Sequence, residues 1–116
     1  MIAVAGFTHV EQRGRQRRAL RVLDGLLERE DLPPIAWTVG NVGANLVGHV
    51  LTGEEERRDT FTAWTRALGA KPSPERTHLA VTHLSAVARQ YDGLVDIVLI
   101  VDLFPDLTDD IDLGRG

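Results

Sequence analysis

A chain of 116 residues with 43% hydrophobic and 26% charged residues has the size and composition of one folded domain. It contains no cysteine, which excludes disulfides, thiolate nucleophiles and cysteine-ligated zinc. The net charge of −4 disfavours nonspecific nucleic-acid binding as the main role, and no apolar run is long enough to span a bilayer.

The first predicted helix covers residues 9–30, where leucines and alanines recur at steps of three and four and form one apolar stripe. Thr8 and Glu11 have the spacing of a capping box at its start. Two prolines, Pro33 and Pro34, end the helix because the residue before a proline is pushed out of the α region.

A predicted hairpin follows the first helix. Its strands cover residues 35–39 and 44–51, and the segment from Gly40 to Gly43 provides the turn. Gly48 interrupts the second strand, which predicts a bulge or a close approach of another group to the backbone.

The second predicted helix begins at a capping box formed by Thr52 and Glu55 and ends at Leu68, with Gly69 as its C-cap. A loop over residues 71–76 separates it from the second half of the sheet.

Two further strands are predicted over residues 77–88 and 94–104, and Pro105 ends the second of them. Residues 1–104 are therefore expected to form one domain, and residues 105–116 an acidic, flexible tail. Residues 2–6 fit either an additional first strand or a disordered arm.

The element order predicts an α+β fold of the form α-β-β-α-β-β. Neither hairpin is stable alone, so we expect both in one four-stranded antiparallel sheet with the two helices on one face.

The last strand is apolar on both of its faces. Val95, Ile97, Leu99, Val101 and Leu103 alternate with Val98, Ile100 and Phe104, whereas a strand with one wet face shows cleaner alternation. Two helices cover only one face of a small sheet, so the second face is a candidate for contact with a protein partner. The residues predicted to bind this partner are Val95, Ile97, Val98, Leu99, Ile100 and Val101. Coverage of this face by the chain's own ends is the alternative.

Two other groups of residues are candidate sites with simpler explanations. Arg13, Arg17 and Arg21 share one helical face. This face fits one of three roles: contact with nucleic-acid phosphates, contact with an acidic partner, or an ordinary solvated surface. Trp37 and Trp64 fit the lining of a small-molecule pocket between helices and sheet, or ordinary core positions.

No catalytic or metal-binding pattern stands out. The four histidines lack the spacings of zinc sites, and neither serine lies in a nucleophile elbow. We therefore expect no enzyme activity, no metal and no cofactor.

The order of motifs resembles an uncharacterised group of small actinobacterial proteins. The similarity covers roughly residues 19–104 and rests on four segments: residues 35–39 (IAWTV), 61–69 (FTAWTRALG), 77–79 (THL) and 94–103. Proteins of this appearance are often encoded on phages or mobile elements, so the resemblance implies an accessory role and brings no catalytic residues. The arrangement is also similar at the level of fold to small-molecule-binding domains of the GyrI-like group.

These patterns together favour a non-enzymatic interaction module that binds itself or another protein through an apolar sheet face. The alternatives are a small-molecule-binding domain and a regulator that contacts nucleic acid through the arginine-rich helix. Without cysteines, a signal peptide or a membrane span, the chain is expected in the cytoplasm.

Overall fold

The computed structural model describes residues 8–40, 44–90 and 93–105. Two helices and six strands lie within these residues. In chain order they are α1 (His9–Leu27), β1 (Ala36–Val39), β2 (Asn45–His49), α2 (Glu54–Leu68), β3 (Lys71–Pro72), β4 (Arg76–His78), β5 (Val81–Gln90) and β6 (Val95–Leu103). The possible strand over residues 2–6, the centre of the first turn and the acidic tail from residue 106 lie outside the described residues.

The start of α1 confirms the predicted N-cap. The Thr8 hydroxyl accepts a hydrogen bond from the backbone N–H of Glu11 at 3.1 Å, which satisfies one donor of the first turn. The helix ends at Leu27, a little earlier than the hydrophobic pattern predicts.

The two ends of α2 differ in how well the sequence predicts them. The prediction of a capping box at Thr52 is wrong. Gly53 is the N-cap of α2, and no side-chain hydrogen bond caps the helix at this end. The Thr52 hydroxyl lies instead 3.5 Å from the Thr60 hydroxyl. Gly69 is confirmed as the C-cap, with the left-handed φ of 61° that glycine tolerates best.

The sheet has the strand order β1-β2-β6-β5-β3, and β4 also pairs with β5. The prediction of an α+β fold with two helices is confirmed, but the four-stranded antiparallel sheet was wrong. The sheet has six strands and is mixed, because β2 and β6 pair in parallel while the other pairs are antiparallel. The strongly apolar β6 takes a central place between β2 and β5, where both of its edges are hydrogen-bonded.

The segment that the sequence assigns to a loop and one strand forms an additional hairpin, which the sequence does not predict. Strand β4 ends at His78 and β5 begins at Val81, with only Leu79 and Ala80 between them. Both residues have positive φ, 51° and 68°, as the central residues of a type I′ turn do.

Both helices pack on one face of the sheet, where side chains from both helices and from strands β2, β5 and β6 form a single core cluster. The Trp64 indole N–H donates to the Pro33 carbonyl at 2.7 Å, and the Trp37 and Trp64 rings meet edge to face at 5.5 Å. Gly48 lies against the Trp37 ring, which confirms the predicted close approach: a Cβ there would lie 2.9 Å from Trp37 Cζ3. Neither described helix is long and apolar enough to cross a membrane.

Candidate protein-interaction surface

Strand β6 divides its apolar residues between the two faces of the sheet. Val95, Ile97, Leu99 and Val101 are at most 2% exposed and belong to the core beneath the helices. Because successive side chains of a strand point to opposite faces, Val98 and Ile100 lie on the face that turns away from the helices. Both are partly exposed. Of the six residues predicted to bind a partner, the structure thus places four in the core and two on the second face.

We call this second face the open face. Within the described residues, both helices pack on the opposite side, and no described element covers it. Its side chains come from alternate positions of all six strands. They are Ala36 and Thr38 in β1, Asn45, Val47 and His49 in β2, Lys71 in β3, Arg76 and His78 in β4, Val81, His83, Ser85, Val87 and Arg89 in β5, and Asp96, Val98, Ile100 and Asp102 in β6.

The strand register aligns three valines across the middle of the open face. Val98 of β6 pairs with Val47 of β2 on one side and with Val87 of β5 on the other. Ile100 lies in the next row, opposite Ser85. We call Val47, Val87 and Val98 the valine row. Val87 is 42% exposed, so the row is open to contact at its β5 end.

An ion pair and a histidine–aspartate hydrogen bond lie at the two ends of the valine row. Toward one end of the strands, Arg89 Nε is 3.2 Å from Asp96 Oδ1. Toward the other end, His83 Nδ1 is 2.5 Å from Asp102 Oδ1. Each pair joins register partners on β5 and β6. The open face therefore combines an apolar centre with a rim that contains both signs of charge, which is the usual anatomy of a protein interface.

Val47 and Val87 are the two members of the valine row that the sequence does not identify. Each belongs to a strand predicted from the sequence, but their alignment with Val98 depends on the parallel pairing of β2 with β6. Hydrophobic periodicity shows which residues share a strand face, and it does not show which strands are neighbours.

The predicted pocket at Trp37 and Trp64 is narrow. The two rings are in contact, as expected for a shared site, but the cleft beside them measures only about 90 Å³. Pockets for drug-sized ligands have volumes of roughly 300 to 1,000 Å³. The hydrogen bond from Trp64 to Pro33 and the burial of the Trp64 ring fit a role in the core.

The three arginines of the predicted anion-binding face, Arg13, Arg17 and Arg21, are all exposed on α1. Exposed acidic residues follow within the next turns, which limits the basic stretch to the first part of the helix. Beyond the helix, hydrogen bonds from the Arg29 guanidinium, at 2.8 Å, lower the pKa of the Asp31 carboxyl. This charge pair lies away from the open face.

Among the described residues, no group of three His, Asp or Glu side chains is placed to hold a metal ion. No protein-family model, curated protein or solved structure gives a significant match to this chain. The function is therefore derived from the chemistry of the surface alone.

Proposed function

We propose that this protein is a non-enzymatic interaction module whose open face docks onto the open face of a second copy. The observation that carries the proposal is the valine row, which together with Ile100 lines the centre of a sheet face that no described element covers. Contiguous apolar surface of this kind commonly marks a protein contact.

A second copy suits this face because its charges complement themselves. Consider a twofold axis that runs parallel to the strands between β5 and β6. Residues of β5 pair with residues of β6 within one copy: Val87 with Val98, Arg89 with Asp96, and His83 with Asp102. The axis therefore places each of these β5 residues over its β6 pairing partner in the other copy. Val87 then meets Val98, Arg89 meets Asp96 and His83 meets Asp102. Isologous contacts of this type are the commonest in soluble oligomers.

The resulting dimer has two sheets packed face to face between outer layers of helices. Sheets in such sandwiches lie about 10 Å apart and cross at roughly 30°, which keeps the central valines in contact. The charged pairs at the rim fix the relative orientation of the two copies more than they add affinity.

Sedimentation velocity of the wild-type chain and of Val87→Asp tests the proposal. We expect a wild-type dimer and a Val87→Asp monomer, because the new carboxylate would be pressed against the apolar Val98 of the other copy, which offers it no hydrogen-bond donor. The fold should survive, since Val87 is 42% exposed. The matched control is Val10→Asp on α1, where the valine is 78% exposed and lies on the other side of the molecule; this variant should remain dimeric.

Circular dichroism of all three proteins separates loss of association from loss of folding. A monomeric wild-type chain at high concentration would refute the proposal, and so would a folded Val87→Asp variant that still forms the dimer.

A further inference from the structure

The sheet extends beyond its helices on the β3 side. Helix α2 packs mainly on β6, whereas β3 and β4 pair with β5 and have no described helix above them. A cleft of about 310 Å³ lies beside α2, at the edge of the sheet area that this helix covers. Its lining comes from α2 and from the β3–β5 part of the sheet. It shares no lining residue with the narrow cleft at the tryptophans.

The floor of this cleft is apolar. Phe61 and Leu84 line it, and both belong to the core, with 7% and 5% of their surface exposed. Pro72 of β3 also lines the cleft. Such a floor favours a ligand with an aliphatic or aromatic body, because burial of apolar surface is favourable.

The charged groups of the cleft leave one positive charge uncompensated. Arg58, Arg66 and Glu75 are the three ionised side chains that line it. Arg58 Nη1 and Glu75 Oε1 form an ion pair at 2.8 Å. No ion pair or hydrogen bond involves the Arg66 side chain within the described residues. Two arginines and one glutamate give a net charge of +1, which suits a monoanion.

Thr65 provides a second, independent indication of a polar ligand. Its hydroxyl oxygen is buried at the cleft and has no hydrogen-bond partner, although a threonine in a helix can bond to a carbonyl of the preceding turn. A rotation about χ1 that moves the hydroxyl into the position of the methyl group would offer the hydroxyl to a bound acceptor.

We propose that this cleft binds a small amphipathic carboxylate. The carboxylate accepts hydrogen bonds from the Arg66 guanidinium and the Thr65 hydroxyl, and the apolar body lies on Phe61 and Leu84. The site is on the helix side of the sheet, so the proposal is independent of dimer formation through the open face.

Titration of the ¹⁵N-labelled protein with octanoate, followed by amide chemical shifts, tests the site. We expect shifts that saturate and concentrate in the amides of residues 58–66, Ser73, Glu75 and Leu84. The neutral analogue 1-octanol should bind at least about tenfold more weakly, because it cannot make a charge-assisted bond to Arg66.

The variant Arg66→Gln should weaken octanoate binding by about tenfold or more, since it removes the positive charge and keeps the length of the side chain. Arg13→Gln, an equally conservative change at an exposed position of α1, should leave the affinity unchanged. Three results would overturn the proposal: equal affinity for octanoate and octanol, no effect of Arg66→Gln, or no saturable shifts in the cleft up to about 10 mM ligand.

Discussion

At the scale of single residues, neighbours in β6 have opposite environments. Ile97 is fully buried beneath the helices, and Val98 lies on the open face, next to it in the chain. The sequence predicts this division from the period of two in a strand. It does not show which face the helices cover, so it names all six apolar residues as partner contacts when four of them are core.

Gly48 is the residue at which a single added carbon should matter most. A Cβ there would lie 2.9 Å from both Ile35 Cδ1 and Trp37 Cζ3, and 3.0 Å from Leu99 Cδ2. We expect Gly48→Ala to lower the free energy of unfolding by about 1–3 kcal/mol, because the packed side chains must move.

Urea denaturation followed by tryptophan fluorescence measures this loss. The control is Gly25→Ala in α1, where the added Cβ meets nothing within 4 Å. That change should raise the free energy of unfolding by about 0.5–1 kcal/mol, because alanine is the better helix former. A Gly48→Ala variant as stable as the wild type would show that Trp37 does not pack as tightly as described.

At the scale of elements, the sequence predicts the helices well and the strand pairings poorly. The Thr8 cap and the Gly69 cap are local features, and the structure confirms them. The apolar stripe of α1 is confirmed only in part, because Ala19 and Leu26 are buried whereas Leu20 and Leu27 are exposed. Strand neighbours depend on contacts between distant residues, and no local pattern indicates that β6 pairs in parallel with β2.

The hairpin of β4 and β5 shows a second reason for failure. Its turn contains Leu79 and Ala80, neither of which is typical of a type I′ turn. The flanking pairs hold the register instead: Thr77 pairs with Thr82, and their hydroxyls are 3.2 Å apart. The turn residues therefore adopt a left-handed backbone that costs an L-residue roughly 1–2 kcal/mol each.

Replacing Ala80 with glycine should relieve part of this cost. We expect Ala80→Gly to raise the free energy of unfolding by up to about 1 kcal/mol, since glycine adopts positive φ without a steric penalty. The same substitution at Ala67, an exposed position within α2, should have the opposite sign and lower it by about 1 kcal/mol. Thermal unfolding of both variants checks the two signs, and destabilisation by both would mean that the turn is not left-handed at residue 80.

At the scale of the whole molecule, the arrangement of layers explains why one face remains available. Two helices suffice to bury one side of β1, β2, β5 and β6, and the described residues contain no third layer for the other side. The apolar content of the open face is concentrated in the valine row and Ile100, with charges of both signs around it. In the proposed dimer, a second copy would be the missing layer and would bring complementary chemistry.

The cleft between α2 and β3 also results from the arrangement of layers, because the sheet is wider than the area that the helices cover. Strands β3 and β4, which lie in part where the sequence pattern predicts a loop, widen the sheet beyond the reach of α2. The site therefore depends on elements that hydrophobic patterns do not reveal, since β3 has only two residues and β4 three.

The measurement that tests the central claim most directly is an isotope-filtered NOE experiment on a mixture of labelled and unlabelled protein, which detects contacts only between copies. We predict intermolecular NOEs among the methyl groups of Val87, Val98 and Ile100, with those between Val87 and Val98 the strongest. Their absence in a sample that sediments as a dimer, or intermolecular NOEs confined to exposed leucines of α1 such as Leu20 and Leu27, would place the interface elsewhere and contradict docking through the open face.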